Sequence, residues 1–336
     1  MKRLFLMFVF ATMLVPAIPA RAVSLKIATS LPEGSSWMRA MRAGAEEIRD
    51  RTQGRVTIKF YGGGVMGNDK SVLRKIRVGQ LHGGAFTAGG LSSVYSDLKL
   101  YSLPFLFRNL DEVLAAREKL DPIIRKGLFD KGFVCFGFAG GGFANLMSNK
   151  VVRGISDVKG RKIWVPEGDL VSYAVMEAMS LSPVTLNLID VMTGLQTGLL
   201  DIVAATPTAA LAFQWHTRIK YVADMPLVYV VGTMAIDRRA YKTISIEDQA
   251  VIEEIMGRIY KEFDEKGVTD DVAAIKALKS QGIEFITVDS ADTQQWRSTA
   301  LSVERKLARD GIYSERLFEL LVNCVNDCSS DWSKTE

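Results

Sequence analysis

The chain is 336 residues long, with 42 lysines and arginines against 38 aspartates and glutamates, 2 histidines and 3 cysteines. That length accommodates two compact domains, and the charges form no basic stripe or aromatic stacking motif of the kind that binds nucleic acid. Two isolated histidines, without cysteine–histidine spacing, supply neither a zinc site nor a nucleophile–base pair, which argues against an enzyme and against a metal or other cofactor.

Residues 1–22 read as a secretory signal. Lys2 and Arg3 form the charged start, residues 4–15 the apolar stretch, and Ala20-Arg21-Ala22 a small-x-small cleavage site. The apolar run is short of the roughly 20 residues that span a bilayer. Cleavage after Ala22 removes Lys2, Arg3 and Arg21, leaving a nearly neutral exported protein of 39 basic and 38 acidic side chains.

Beyond the signal, Trp37, Met41, Ala45 and Ile48 fall on one helical face behind Ser35 and Ser36 as caps. Val56, Ile58 and Phe60 alternate with polar residues, as in a half-buried strand. Asp69 is placed to cap a helix carrying Val72, Leu73 and Ile76, stopped by Gly79. Residues 103–107 form an apolar run behind a proline and read as core. A second unit begins near Asn145, with a strand at 162–165, a helix at 170–179 and another ending at Gly198. Ser245-Ile246-Glu247-Asp248 resembles a capping box opening a helix of about 30 residues. Strand and helix signals alternate, so the fold class is α/β. No flexible linker appears, so the lobes are expected to be discontinuous, joined by crossings that serve as a hinge.

Gly62-Gly63-Gly64 and Gly140-Gly141-Gly142 lack the Gly-Lys-Ser/Thr or G-x-G-x-x-G context of phosphate loops and read as tight turns. Asp190 and Asp201 read as solvated helix ends rather than a catalytic pair. Cys135 lies in an apolar run and reads as a buried, inert thiol. Cys324 and Cys328 are either a disulfide or two thiols on one helix face, depending on whether the chain there is regular helix.

Several segments, taken in order, resemble the binding proteins of tripartite ATP-independent periplasmic (TRAP) transporters. Leu25-Lys26-Ile27-Ala28 resembles that family's first strand. Tyr61-Gly62-Gly63-Gly64-Val65-Met66-Gly67-Asn68-Asp69 is similar to its "FPGGQLGDD" and Leu103-Pro104-Phe105-Leu106-Phe107 to its "LPFLF". Asp157-Val158-Lys159-Gly160-Arg161-Lys162-Ile163-Trp164-Val165-Pro166 is similar to "DLKGLKIRVP", and Leu195-Gln196-Thr197-Gly198-Leu199-Leu200-Asp201 to "LQTGVVD". The resemblance implies a two-lobed periplasmic binding protein fold with a ligand cleft and a long helix running across both lobes. One lobe is expected at 23–144 with about 235–285, the other at about 145–234 with 286–336.

It also implies which positions face the ligand, and here the chain departs from the acid-binding type. Trp164 stands at the arginine that clamps a carboxylate through two parallel hydrogen bonds. Ala144, beside Phe143, stands where many members carry a second arginine, and Thr87 where some carry glutamate. Leu188 stands at an aromatic position and Ala205 at an asparagine, while Ser30 follows the first strand. Together these substitutions describe a pocket that has lost charge and suits a hydrophobic or long-chain solute. The implied partners are that small molecule, the TRAP membrane subunits and, by likeness to an apolar-pocket subgroup, a periplasmic tetratricopeptide-repeat protein. A ligand sensor or lipid carrier on the same fold, without a transporter, is the alternative.

Overall fold

The computed structural model describes residues 22–332; the expected signal, but for Ala22, lies outside the described residues. The first half runs β1 (Val23–Thr29), α1 (Ser36–Arg51), β2 (Val56–Tyr61), α2 (Asp69–Arg77), β3 (Gly83–Thr87), the single turn α3 (Ala88–Leu91), α4 (Leu110–Asp130) and β4 (Phe133–Cys135). β5 (Ala139–Ser148) carries the chain into a second half of β6 (Lys162–Pro166), α5 (Leu170–Ala178), β7 (Ser182–Leu186), α6 (Val191–Thr197), β8 (Ile202–Ala205), α7 (Pro207–Ala212) and β9 (Tyr221–Asp224). β10 (Val228–Asp237) returns it to α8 (Arg238–Tyr241) and α9 (Ile246–Ser280). β11 (Glu284–Thr287), α10 (Ser290–Arg309) and α11 (Glu315–Trp332) complete it.

The strands form the order β2-β1-β3-β10-β5-β8-β6-β7, with β4 on β10 and β9 bridging β5 and β11. β1 pairs in parallel with β2 and β3, and β6 in parallel with β7 and β8. β10 and β5 are antiparallel to each other and join the two parallel groups, with a register shift between Tyr229 and Val231. The result is the two-lobed mixed fold expected. β11 pairs in parallel with β9 in the second sheet.

Local chemistry sets most ends. Ser35 accepts a hydrogen bond from the Met38 N–H and Ser245 one from Asp248, each satisfying an orphan donor of the first turn. At α2 the cap is Asn68, not the expected Asp69, which is the first helical residue. Asp248 turns its carboxylate to Arg55 at 2.9 Å, so the box at α9 is not reciprocal. α9 reaches 35 residues, longer than expected. It lies on α1, where Ile259 packs at Gly44 and Arg51 pairs with Glu254 at 2.8 Å. It continues to the second half, where Asp271 accepts from Thr208 at 3.2 Å and Leu278 enters the core.

The glycine triplets differ from each other. Gly62-Gly63-Gly64 is the expected turn, with the Gly63 and Gly64 amides bonded to the Leu31 and Thr29 carbonyls. Gly140-Gly141-Gly142 is not a turn; it lies inside β5 where the chain crosses between sheets. A Cβ on Gly140 would lie 2.1 Å from the Tyr229 hydroxyl, and one on Gly142, whose φ is +88°, 2.2 Å from an Asp271 oxygen. Close approach of β10 and α9 requires glycine here.

Cys324 and Cys328 are free thiols four residues apart on the regular helix α11. Burial pushes the Cys135 thiol up to about 12, consistent with an inert core residue. Glu304, in α10, is buried and its Oε1 has no hydrogen-bond partner. Burial raises its carboxyl well above the usual range. A raised folded-state value means that the unfolded chain loses this proton first, so the contribution of this one group is fullest at low pH and falls as pH rises. Glu304→Gln is therefore expected to lose less stability than wild type between about pH 4 and about pH 7, measured by urea unfolding; parallel losses would contradict a neutral Glu304.

Candidate functional site

In open α/β sheets the crevice outside the carboxyl ends of parallel strands is where ligands bind. Here two such sets of ends face each other. β1, β2 and β3 end at Thr29, Tyr61 and Thr87; β6, β7 and β8 end at Pro166, Leu186 and Ala205. Contacts between the loops that follow show the apposition. Asn68 Nδ2 donates to Asn187 Oδ1 at 2.7 Å and to Glu167 Oε2 at 3.3 Å. Gly64 lies so close to Ile189 that a Cβ there would be 2.6 Å from its Cγ2.

On the first rim, Ser30 is half-buried just beyond β1. Thr87 is exposed, and its hydroxyl accepts the Gly90 N–H at 3.1 Å, capping α3. Beside them sits Asp69, whose carboxyl burial pushes up to about 6. On the second rim, Phe143 makes an edge-to-face contact with Tyr229 at 5.0 Å. Ala144 is buried, and its carbonyl accepts the Leu227 N–H at 2.9 Å.

Trp164, Ala205 and Leu188 meet in one cluster. Period-two alternation puts them there. Leu146, Ile163, Val165 and Ile202 face the helices α5 and α10, while Met147, Trp164, Val203 and Ala205 point to the opposite side. That side is covered by Val191 and Leu195 of α6, Ala210 of α7 and Trp215. Trp164 is only 5% exposed. Its ring meets Trp215 edge-on at 5.4 Å, and Trp215 in turn stacks with Phe213 at 5.3 Å. Its single donor, Nε1–H, is spent on the Leu186 carbonyl at 3.0 Å. Trp164 is thus packed into the lobe beneath the crevice rather than set as an open wall.

The expected site residues therefore fall into separate groups. Trp164, Leu188 and Ala205 share one cluster of the second half, Phe143 and Ala144 lie on β5 opposite β10, and Ser30 and Thr87 lie at the ends of β1 and β3. None of them lines either of two cavities elsewhere in the protein. One, of about 320 Å³, lies between Asp224–Pro226 and the start of α10, with Thr293 and Arg297 on its wall. The other is small and apolar, between α5, β6 and Trp296. Leu103, Phe105 and Phe107 are core, as expected, with Phe105 against Trp296 at 5.6 Å. Asp201 accepts the Lys162 N–H at 2.9 Å and Asp190 is exposed, so the two do not form a catalytic pair. Among the described residues no three histidine, cysteine or acidic side chains cluster as metal ligands, and no helix is long and apolar enough to cross a membrane.

Sequence reasoning missed Asn68 and Asn187 as bridging residues and Trp215 as the partner of Trp164. The aromatic pair Phe213 and Trp215 was the available signal for the last. For the asparagines there was none.

A two-lobed receptor is the class that this geometry defines. Residues 27–310 match bacterial extracellular solute-binding protein family 7, and the chain belongs to that family. Similar relatives include a solute-binding protein of Verminephrobacter eiseniae, 22% identical over 82% of this chain and 83% of the relative. The sialic acid-binding periplasmic protein SiaP of Vibrio cholerae is 19% identical over 78% and 82%. Among solved structures, a TRAP periplasmic solute-binding protein from Desulfovibrio salexigens with bound orotic acid superposes with a TM-score of 0.81 at 18% identity, covering 90% of this chain and 99% of that one. The sugar acid binding protein DctPAm from Advenella mimigardefordensis, in complex with galactonate, gives 0.84 at 15%, covering 91% and 99%. The chain is a solute-binding protein of that family and not an enzyme.

Trp164→Ala is expected to cost about 3–5 kcal/mol of folding stability, the range for truncating a packed aromatic, read from the urea midpoint. An unchanged midpoint would show that Trp164 is not packed as described.

Proposed function

We propose that this protein is the receptor of a TRAP transporter, closing on a solute that lacks a carboxylate clamp and passing it to the membrane subunits. Trp164 carries the reading. In the acid-binding members that this sequence resembles, an arginine holds the carboxylate at this place; here the only donor of the side chain is taken by Leu186. Ala144 and Ala205 supply no polar side chain either, and both are buried. The solved relatives named above hold orotic acid and galactonate; the loss of these donors in this chain supports a different, apolar or long-chain solute.

Magnitudes favour it. Desolvating a carboxylate without a partner costs several kcal/mol. About ten buried methylenes return on the order of 8 kcal/mol before the entropy of association is subtracted. The lobes that move are 23–144 with about 235–285, and about 145–234 with 286–336, α9 being shared between them. Ser30 and Thr87 contribute from the first, and Phe143, Ala144, Leu188 and Ala205 from the second, with Trp164 behind them as the floor. An apolar solute is also the ground for a periplasmic tetratricopeptide-repeat partner.

Succinate, malate and sialic acid are expected to leave the melting temperature unchanged at about 1 mM, where a binder of about 10 μM would add over ~2 kcal/mol. Mass spectrometry of protein released from the periplasm is expected to show an apolar small molecule. Recovery of a dicarboxylate or sugar acid, or clear stabilisation by one of the three acids, would overturn the assignment.

A further inference from the structure

Asn68 divides its side-chain amide between the two halves of the molecule. Its Oδ1 accepts the Ser71 N–H at 3.0 Å and caps α2. Its Nδ2 crosses the crevice to Asn187 Oδ1 at 2.7 Å and Glu167 Oε2 at 3.3 Å. The cap fixes the amide plane, so the donor end is already aimed at the far rim. Asn187 follows β7 directly and Glu167 follows β6, so both acceptors ride on the strand ends of the second half. Ile189 packs at Gly64 beside these bonds.

We propose that Asn68 is the positioning residue that holds the lobes closed, acting as a clasp between α2 and the β6 and β7 ends rather than as a solute contact. The proposal rests on the receptor reading only in requiring that the lobes move. Separation of the rims breaks both crossing bonds and leaves the cap intact. Two hydrogen bonds, one to a charged acceptor, shift the closed-to-open ratio by on the order of tenfold or more.

The cap and the clasp can be separated chemically. Asn68→Asp keeps an N-cap acceptor as good as asparagine, but it removes the donor and sets a carboxylate against Glu167. Adding Glu167→Lys supplies an opposite charge at the same place. Interlobe distance is read by electron–electron double resonance between spin labels at Arg77→Cys and Glu177→Cys, both exposed and on opposite halves, in a Cys328→Ser background without added solute. Asn68→Asp is expected to move the distribution to longer distances by about tenfold in population, and Asn68→Asp/Glu167→Lys to bring it back. Urea midpoints of the two variants are expected to stay near that of the labelled parent. A wild-type distribution already at the long distance, no change in Asn68→Asp, or no recovery in the double variant would each overturn the clasp. Because no solute is present, failure here leaves the choice between acid and apolar ligand standing, and an acid ligand leaves the clasp standing.

Discussion

The arrangement depends on how α9 is fastened over the strands that cross between the sheets. Asp264 of this helix accepts the Gly140 N–H at 3.1 Å and pairs with Arg117 at 2.7 Å. Arg117, itself buried, also reaches Asp121 and the Phe138 carbonyl. A guanidinium taken out of water needs its donors filled, and here three elements fill them. These bonds tie α4, α9 and the residue ahead of β5 to one guanidinium.

That fastening explains the glycines of β5. A strand pressed by a helix on one side and by the Tyr229 hydroxyl on the other has no room for side chains at Gly140 and Gly142. The left-handed conformation at Gly142 and the register shift opposite Tyr229 and Val231 sit together at the crossing. The sheet is therefore irregular where the two halves join and regular within each half. Bending concentrates where hydrogen-bond ladders are already interrupted, which suits a receptor that closes.

Alternation along the strands then decides what the crevice floor is made of. Once Ile163 and Val165 face α5, Trp164 must face α6, α7 and Trp215. The tryptophan fills that space with ring surface and spends its one donor internally. The fold itself is shared with solved structures at 15–18% identity.

The sequence by itself determined what depends on neighbours a few residues away. Caps at Ser35 and Ser245, the helix stop at Gly198 and the strand alternation from Val56 to Phe60 require only local spacing, and all are found. The ordered motifs were enough for the family and the two-lobed fold. Asn68 instead of Asp69 as the cap of α2 was not legible, because both side chains suit that role and the choice follows from which one the fold needs elsewhere. The glycine triplet of β5 looked like a turn because glycine runs are common in turns, whereas its cause is the approach of α9 more than a hundred residues later. Trp164 against Trp215, Asn68 against Asn187 and Asp264 against Gly140 are likewise pairings between distant parts of the chain. Only the tertiary structure decides these, since they depend on how the sheets and α9 are placed, and no local pattern encodes that placement.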